Sequence, residues 1–196
     1  MRLFLIRHGE TDSNVNHLLD TAYPGAPLNE NGHQQAQSLI ERLADIPFTA
    51  IYASTLTRAQ ETATPLAAAR GLEVQVLDGI QEISAGVEEM NSNWQVYIDV
   101  LETWAPDNMD VGLEGGETAR EFLTRYTEAI RKIEADGHEV AALVSHGAAM
   151  RVFGITADPK LDLELAPRLL NTEWIELDGS SDEGWNVRRW GSRSFD

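Results

Sequence analysis

Short apolar runs alternate with amphipathic segments along this chain. Residues 2–6 and 140–144 are apolar runs of the kind found in strands at the centre of a parallel sheet, and residues 48–53 are predicted as another strand. A shorter strand is predicted at residues 74–77, and residues 172–177 are a weaker candidate. Strands that alternate with helices favour an α/β fold, here a three-layer α/β/α sandwich around a mostly parallel central sheet.

Between these strands, apolar residues recur at helical spacing. One helix carries Ala36 and Leu39, and a second has Ser54 as its expected N-cap and ends near Gly71. A longer amphipathic helix is predicted over residues 117–136. Each helix lies between two predicted strands, as the sandwich requires.

Residues 79–116 interrupt the regular alternation. They form an irregular acidic stretch with one short helix candidate, which carries Trp94, Tyr97, Ile98 and Leu101. We therefore expect a single domain over residues 1–196, in which residues 79–116 form an inserted cap of helix and loop.

Composition narrows the class of protein and its partners. The chain has 196 residues, a formal net charge of −17 and no cysteine. The acidic charge argues against nucleic acids and anionic membranes as partners, since either requires a basic face. The absence of cysteine excludes a disulfide scaffold, a thiolate metal site and a cysteine nucleophile. The N-terminal apolar run, residues 3–6, is too short for a signal peptide or a membrane span, so we expect a cytoplasmic protein.

Two histidines directly follow predicted central strands. His8 comes after residues 2–6, and the segment that follows residues 140–144 contains His146. Ligands of open α/β sheets bind in the crevice at the carboxyl ends of the strands. If both strands are central and parallel, the two histidines lie at one edge of that crevice.

An imidazole in this position can attack phosphorus if the phosphate oxygens are neutralised. Arg7 and Arg58 offer planar guanidinium donors for such oxygens. Arg58 also lies in the first turn of its predicted helix, where free backbone N–H groups favour an anion. The other histidines, His17, His33 and His138, lie in polar contexts and are interpreted as ordinary surface residues.

Five short motifs and one acidic residue occur in a fixed order over roughly residues 1–155. They are Arg7-His8-Gly9-Glu10-Thr11 with Asn14; Leu28-Asn29-Glu30-Asn31-Gly32 leading to Gln35-Ala36; Ser54-Thr55-Leu56-Thr57-Arg58-Ala59-Gln60-Glu61-Thr62-Ala63; Glu82; Gly115-Gly116-Glu117; and Val144-Ser145-His146-Gly147. Together they resemble the histidine phosphatase (phosphoglycerate mutase-like) superfamily, in its phosphatase branch.

The resemblance implies a metal-independent phosphomonoester hydrolase that works through a phosphohistidine intermediate. Its catalytic residues would be His8, Glu82 and His146. His8 would be the nucleophile, and Glu82 would be the general acid and then the base for the attacking water. The phosphate would be bound by Arg7, Asn14, Arg58 and His146. The resemblance implies no metal and no cofactor, with a small phosphomonoester as the partner, and it leaves a monomer or a homodimer open.

The choice of acid stays open at this point. The family often has a Glu-Gly pair several residues after its acid, whereas this chain continues from Glu82 to Glu88 and Glu89 without one. Glu88 and Glu89 therefore remain weaker candidates for the acid.

The cap charge favours a phosphatase over a phosphoglycerate mutase. Residues 71–119 contain eleven acidic residues and no Lys or Arg, so this segment repels a multiply charged ligand. We therefore expect a leaving group that is neutral, sugar-like, aromatic or cationic. Trp94, Tyr97 and Trp104 either face that group or form a small core of the cap. Phosphoglycerate mutase-type transfer and non-catalytic phosphate binding remain the alternatives.

Overall fold

The computed structural model describes residues 1–161 and 166–195 and is built on a mixed sheet. Its strands are β1 (Arg2–Arg7), β2 (Ala50–Ser54), β3 (Val74–Leu77), β4 (Val140–Ser145), β5 (Trp174–Ser180), β6 (Gly184–Trp190) and β7 (Arg193–Ser194). The sheet order is β3-β2-β4-β1-β5-β6-β7. The first four strands pair in parallel, and β5, β6 and β7 add an antiparallel edge.

The helices of the described residues lie between and beside these strands. They are α1 (Asp12–Val15), α2 (Glu30–Arg42), α3 (Thr57–Arg70), α4 (Gln95–Glu102), α5 (Ala119–Ala135) and α6 (Gly147–Ala157). None of the helices in the described ranges has the length and apolar character needed to cross a membrane.

Strand β1 contributes to two separate hydrophobic cores. Leu3 and Leu5 pack with residues of α5 and α6, whereas Phe4 and Ile6 pack with residues of α2 and α3. Successive side chains of a strand point to opposite faces, so the four apolar residues 3–6 of β1 need a helical layer on both sides. The three-layer α/β/α sandwich with a parallel centre is thereby confirmed.

One predicted helix start is wrong. The sequence predicts Ser54 as the N-cap of α3, but Ser54 is the last residue of β2, and α3 begins at Thr57 with Leu56 as its N-cap. The Ser54 hydroxyl instead lies 2.7 Å from Nε2 of His146. The helix ends where predicted, at Gly71, whose left-handed backbone (φ 66°) suits a residue without Cβ.

The cap segment, residues 79–116, contains a 3₁₀ turn at Gly86–Glu88 and the helix α4. It packs on the face of the sheet that α5 and α6 cover. Arg125 of α5 fixes the start of the segment, because its guanidinium donates to three backbone carbonyls, those of Gly79, Gln81 and Glu82. The segment is therefore anchored to the sandwich at the residue that the sequence proposes as the acid.

Candidate functional site

The carboxyl ends of β1 and β4 lie side by side, with Arg7 paired to Ser145. His8 and His146 each follow one of these strands, and their ring centroids are 5.2 Å apart. The His8 amide donates to the carbonyl of Ser145 at 3.0 Å, so the two chain segments stay together beyond the last strand residues. The structure thus brings together the two histidines that the sequence places at one edge.

The His8 ring is held in one tautomer. Its Nδ1 lies 2.7 Å from the carbonyl oxygen of Gly9, and because a carbonyl only accepts, Nδ1 carries the hydrogen. Burial lowers the pKa of His8 well below its ordinary value, and the charges of Arg58 and Arg7 lower it further. The ring is therefore neutral at neutral pH, with the lone pair of Nε2 free to react.

His146 is oriented by the hydroxyl of Ser54, which lies 2.7 Å from its Nε2. The same hydroxyl oxygen accepts the amide of Leu56 at 3.3 Å, which leaves its hydrogen for the ring. Burial lowers the pKa of His146 well below its ordinary value, and neighbouring positive charges, first that of Arg58, add to the effect. A neutral ring that accepts at Nε2 carries its hydrogen on Nδ1, which is buried without a partner.

Two buried guanidinium groups flank the histidines. Arg7 donates through Nη1 to the carbonyl of Leu169 at 2.6 Å, and Arg58 donates through Nη2 to the carbonyl of Asp20 at 2.7 Å. The Nη1 of Arg58 lies 3.5 Å from the Asp20 carboxylate, too far for a good hydrogen bond. Arg7 Nε and Arg58 Nη1 are both buried and have no hydrogen-bond partner among residues 1–161 and 166–195. Unsatisfied buried donors on two cations indicate an anion site.

Asn14 joins this site through its free amide nitrogen. Its side-chain oxygen accepts from the amide of Thr11 at 3.2 Å and from Nδ2 of Asn171 at 3.1 Å, and the residue lines the cavity beside His8. Asn171 also donates to the carbonyl of His8 at 3.0 Å. The sequence gives no signal for Asn171, which lies in the segment before β5 and acts by positioning the other two.

Glu82 lies in the same cavity as His8. Its carboxylate accepts three backbone N–H groups, those of Ile83 at 2.9 Å, Ala148 at 3.1 Å and Ala149 at 2.8 Å. The last two belong to the first turn of α6, directly after His146. The carboxyl is therefore held at a fixed place next to the two histidines.

The two weaker acid candidates lie elsewhere. Glu88 accepts from the side chain of Asn91 at 2.6 Å. Glu89 accepts the amides of Thr21 and Ala22, at 2.9 and 3.0 Å, and so joins the cap segment to the loop that follows α1. Neither carboxyl lines the cavity. Within the described residues, both have structural partners in place of a ligand.

The cavity has a volume of about 200 Å³ and two distinct ends. We call the part around Arg7, His8, Asn14 and Arg58 the phosphate end. The outer end is the part lined by α4 of the cap segment, by the second turn of α6 and by the segment before β5. In the described ranges, no group of three or more His, Asp or Glu side chains is placed to hold a metal ion.

The three aromatic residues of the cap segment all pack with the core beneath α5 and α6, and two of them also line the cavity. Trp94 and Tyr97 line the cavity, and the Tyr97 hydroxyl donates to the carbonyl of Ile83 at 3.0 Å. Trp104 instead stacks on Phe122 of α5, with ring centroids 6.1 Å apart, and belongs to the core.

Two arginines at the outer end were not predicted from the sequence as site residues. Arg151 of α6 and Arg168 of the segment before β5 both line the cavity. The expectation of a neutral or cationic leaving group considered the charge of residues 71–119 only. Both arginines lie outside that range, so the outer end is not purely acidic.

Comparisons with known proteins find one family model and several related proteins that are similar to this chain. A family model described as the histidine phosphatase superfamily (branch 1) matches residues 3–193. The adenosylcobalamin/alpha-ribazole phosphatase of Escherichia coli K12 is 31% identical over 167 residues, covering 81% of this chain and 82% of that protein. A probable phosphoglycerate mutase, GpmB, of Enterobacter sp. strain 638 is 30% identical over 155 residues, covering 76% and 71%.

A further relative is much longer than this chain. The PE-PGRS family protein PE_PGRS11 of Mycobacterium tuberculosis H37Rv is 31% identical over 208 residues, which cover 94% of this chain but 35% of that protein. This chain therefore spans about a third of that relative.

Solved structures share the fold over the whole chain. A mycobacterial glucosyl-3-phosphoglycerate phosphatase aligns with a TM-score of 0.82 at 24% identity, covering 98% of this chain and 99% of that one. A putative alpha-ribazole-5'-P phosphatase of Escherichia coli aligns with a TM-score of 0.77 at 27% identity, covering 100% and 98%.

Proposed function

Because the chain belongs to branch 1 of the histidine phosphatase superfamily, we propose that it is a metal-independent phosphomonoester hydrolase that works through a phosphohistidine. One observation carries the proposal: the buried, neutral imidazole of His8 has its Nδ1 fixed and its Nε2 free. Beside it are two arginines, each with one buried nitrogen that lacks a partner. This combination suits a nucleophile that attacks a bound phosphate.

The phosphoryl group is bound by donors that have no partner in the part of the chain that the structure describes. Arg7 Nε, Arg58 Nη1 and His146 Nδ1 donate to its nonbridging oxygens, and the amide of Asn14 adds a further donor. Because the arginines are charged and buried, each bond to the phosphate is charge-assisted. These groups supply the positive charge that a metal ion supplies in many other phosphoryl-transfer enzymes.

In the first step, Nε2 of His8 attacks phosphorus. The N–P bond forms as the bond between phosphorus and the ester oxygen breaks, and the leaving oxygen takes the proton of Glu82. Glu82 is placed for the transfer because three backbone N–H groups fix its carboxyl in the cavity.

In the second step, water replaces the departed alcohol. Glu82, now a carboxylate, takes a proton from the water as its oxygen bonds to phosphorus, and the N–P bond breaks. Inorganic phosphate leaves, and both His8 and Glu82 return to their starting protonation states.

The proposal includes the organisation of the chain. Residues 1–196 form one domain with a cap inserted at about residues 79–116, and the protein is a cytoplasmic monomer or homodimer that needs no cofactor. The packing of α4 and Trp104 against the core of α5 and α6 supports the cap assignment. Cell fractionation and sedimentation of the purified protein test location and oligomeric state.

The first experiment is hydrolysis of p-nitrophenyl phosphate in the presence of EDTA, with the wild type and His8→Ala compared. We expect activity that survives chelation and disappears in the variant. Trapping of an acid-labile, base-stable phosphoprotein from the wild type tests the intermediate directly. Activity that EDTA abolishes, or that His8→Ala retains, would contradict the proposal.

Phosphoglycerate mutase-type transfer is the second candidate, and the 30% identity to a probable mutase supports it. Phosphorus NMR of the wild type with 3-phosphoglycerate separates the two, because a mutase forms 2-phosphoglycerate whereas a phosphatase releases inorganic phosphate. A non-catalytic phosphate-binding protein would do neither and would still bind phosphate.

A further inference from the structure

The cavity extends well beyond the groups that bind a phosphoryl group. Its volume of about 200 Å³ is below the roughly 300–1,000 Å³ that is usual for drug-sized ligands, so it suits a small metabolite. The chemistry at its outer end therefore selects the organic part of the substrate. Two positive side chains at that end are not used by the mechanism.

Arg151 is placed by the geometry of α6. Gly147, Ala148, Arg151 and Val152 share the helix face that lines the cavity. Four residues of α-helix advance about 6 Å along the axis, so Arg151 is one turn farther out than Gly147, which touches Arg7. A Cβ on Gly147 would lie 3.3 Å from Arg7 Nε.

Arg151 is held by one nitrogen only. Its Nε donates to the carbonyl of Ala166 at 3.1 Å, which fixes the guanidinium plane. Its two terminal nitrogens form no hydrogen bond or ion pair with any residue in the described ranges. A guanidinium fixed in this way presents two parallel donors, which match the two oxygens of a carboxylate or phosphate.

Arg168 reaches the cavity from the other side of the site. It directly precedes Leu169, whose carbonyl accepts from Arg7 Nη1 at 2.6 Å. It is close enough for its charge to lower the pKa of Arg7, although burial of Arg7 lowers that pKa more. Arg168 is largely exposed and forms no hydrogen bond or ion pair within the described part of the chain.

The acidic residues of the cavity do not neutralise these two cations. Asp20 forms its ion pair with Arg58, and Glu82 accepts three backbone N–H groups. Glu102 of α4 lines the outer end but is not within 4.0 Å of either arginine. Within the described residues, the terminal nitrogens of both guanidinium groups are therefore free to bind an anion.

We propose that Arg151 and Arg168 form a subsite for a second oxyanion of the substrate, a carboxylate or a phosphate, about one helical turn from the phosphoryl group. The inference rests on the proposed function and names its substrate class: a small phosphomonoester that carries an additional acidic group. It replaces the expectation of a neutral or cationic leaving group, which the charge of the cap segment suggested.

Three matched substrates test the subsite. 3-Phosphoglycerate and glycerol 3-phosphate differ only in a carboxylate against a hydroxymethyl group, and propane-1,3-diol bisphosphate carries a second phosphate. With wild-type protein, we expect kcat/KM for at least one of the acidic esters to exceed that for glycerol 3-phosphate by about ten- to hundredfold. The acidic ester with the larger value identifies the second group as carboxylate or phosphate.

Arg168→Met and Arg151→Met remove the charge but keep most of the side-chain stem. Each should raise KM for the preferred acidic ester about tenfold or more while kcat/KM for glycerol 3-phosphate changes much less. Arg131→Met is the matched control, since Arg131 of α5 is 59% exposed and pairs with Asp182 outside the cavity. If Arg151→Met does not fold because Ala166 loses its donor, the exposed Arg168→Met carries the test.

Two results would overturn the inference while the proposed function stands. In the first, the wild type hydrolyses p-nitrophenyl phosphate but shows no higher kcat/KM for either acidic ester than for glycerol 3-phosphate. In the second, both variants lose the same factor in kcat/KM on all three esters. If the wild type hydrolyses nothing, the proposed function fails, and calorimetric binding to His8→Ala decides the subsite. At least tenfold tighter binding of an acidic ester than of glycerol 3-phosphate, lost in His8→Ala/Arg168→Met, would support it. Equal affinities would refute it.

Discussion

The two ends of the cavity are built differently. At the phosphate end, His8, Arg58 and His146 are at most 4% exposed and come from residues that directly follow strands or begin a helix. At the outer end, the side chains come from α4, the second turn of α6 and the segment before β5, and many of them are partly exposed. A substitution at the phosphate end disturbs the buried residues at the carboxyl ends of β1 and β4. A substitution at the outer end disturbs fewer buried residues. Chemistry and substrate choice are therefore separable by mutation.

The largest effect is expected from substitution of Arg58 at the phosphate end. Arg58→Met removes a buried charge-assisted donor, so we expect kcat/KM to fall about a hundred- to thousandfold, and by the same factor for every ester. Arg70→Met is the control on the same helix, because Arg70 donates to the carbonyls of Leu43 and Ala44 and does not line the cavity. Steady-state kinetics on p-nitrophenyl phosphate and glycerol 3-phosphate measure both. A loss confined to one ester would place Arg58 at the leaving group.

The second largest effect is expected on substitution of Glu82. Glu82→Gln keeps the side-chain shape but cannot give a proton, so esters with alkyl leaving groups should lose about a hundredfold in kcat. p-Nitrophenyl phosphate, whose leaving group needs no proton, should lose less than about tenfold. Plotting log kcat against the pKa of the leaving alcohol, in wild type and variant, gives the measurement. Equal losses across the series would remove Glu82 from the acid role.

The pH dependence of stability sharpens the comparison further. Burial lowers the folded-state pKa of both His8 and His146 well below 6.5. Below pH 6.5 the unfolded chain binds a proton on each ring while the folded protein does not, so the free energy of unfolding falls as the pH falls. Each ring contributes about 1.4 kcal/mol per pH unit until its folded-state pKa is reached.

Urea unfolding at pH 7.5, 6.5 and 5.5, without phosphate, measures this slope. His8→Gln should reduce the slope between pH 6.5 and 5.5 by about 1 kcal/mol per pH unit, because one buried ring is gone and the unfolded ring is only half protonated at pH 6.5. His33→Gln, an exposed position on α2, retains both buried rings and is the control. An unchanged slope in His8→Gln would show that His8 is charged in the folded protein.

The smallest effect concerns a residue that acts only through another. Ser54→Ala removes the hydroxyl that fixes the tautomer of His146, so we expect about a tenfold loss in kcat/KM. The nitrogen-15 chemical shifts of the His146 ring should change from those of the Nδ1–H tautomer to those of a mixture of the Nδ1–H and Nε2–H tautomers. Ser145→Ala is the matched control, since this equally buried serine donates to the carbonyl of Ile80. A loss of activity without a change in the ring shifts would make Ser54 merely structural.

The difference between the two ends also explains what the sequence could predict. Residues 3–6 and 140–144 are apolar at every position, and each histidine lies two residues after such a run, so the local pattern and the strand-end rule were enough to predict this end. Ser54 was misassigned because a serine before a helix resembles an N-cap, and only the fold brings His146, 92 residues away, to its hydroxyl.

Asn171, Arg151 and Arg168 had no local signal at all. The side chain of Asn171 donates to the carbonyl of His8, which is 163 residues away in the chain. Arg168 lies at the cavity beside Leu169, whose carbonyl accepts a hydrogen bond from Arg7. Arg151 lies on a helix face whose orientation the sequence does not specify. The net charge of residues 71–119 therefore misjudged the outer end of the cavity, whose walls come from three separate parts of the chain.

The bond between Glu89 and the loop after α1 has a kinetic consequence. Glu89 accepts the amides of Thr21 and Ala22. In addition, the Leu19 amide donates to the carbonyl of Asn91 at 3.0 Å, and the Met90 amide donates to the carbonyl of Leu19 at 2.7 Å. The loop and the cap segment therefore form one continuous edge of the cavity opening. The amide hydrogens of Leu19, Thr21 and Met90 should exchange with deuterium at one common rate. An edge fastened in this way should give the cavity opening a set width, so we expect the proposed enzyme to select its substrates by size before they reach His8.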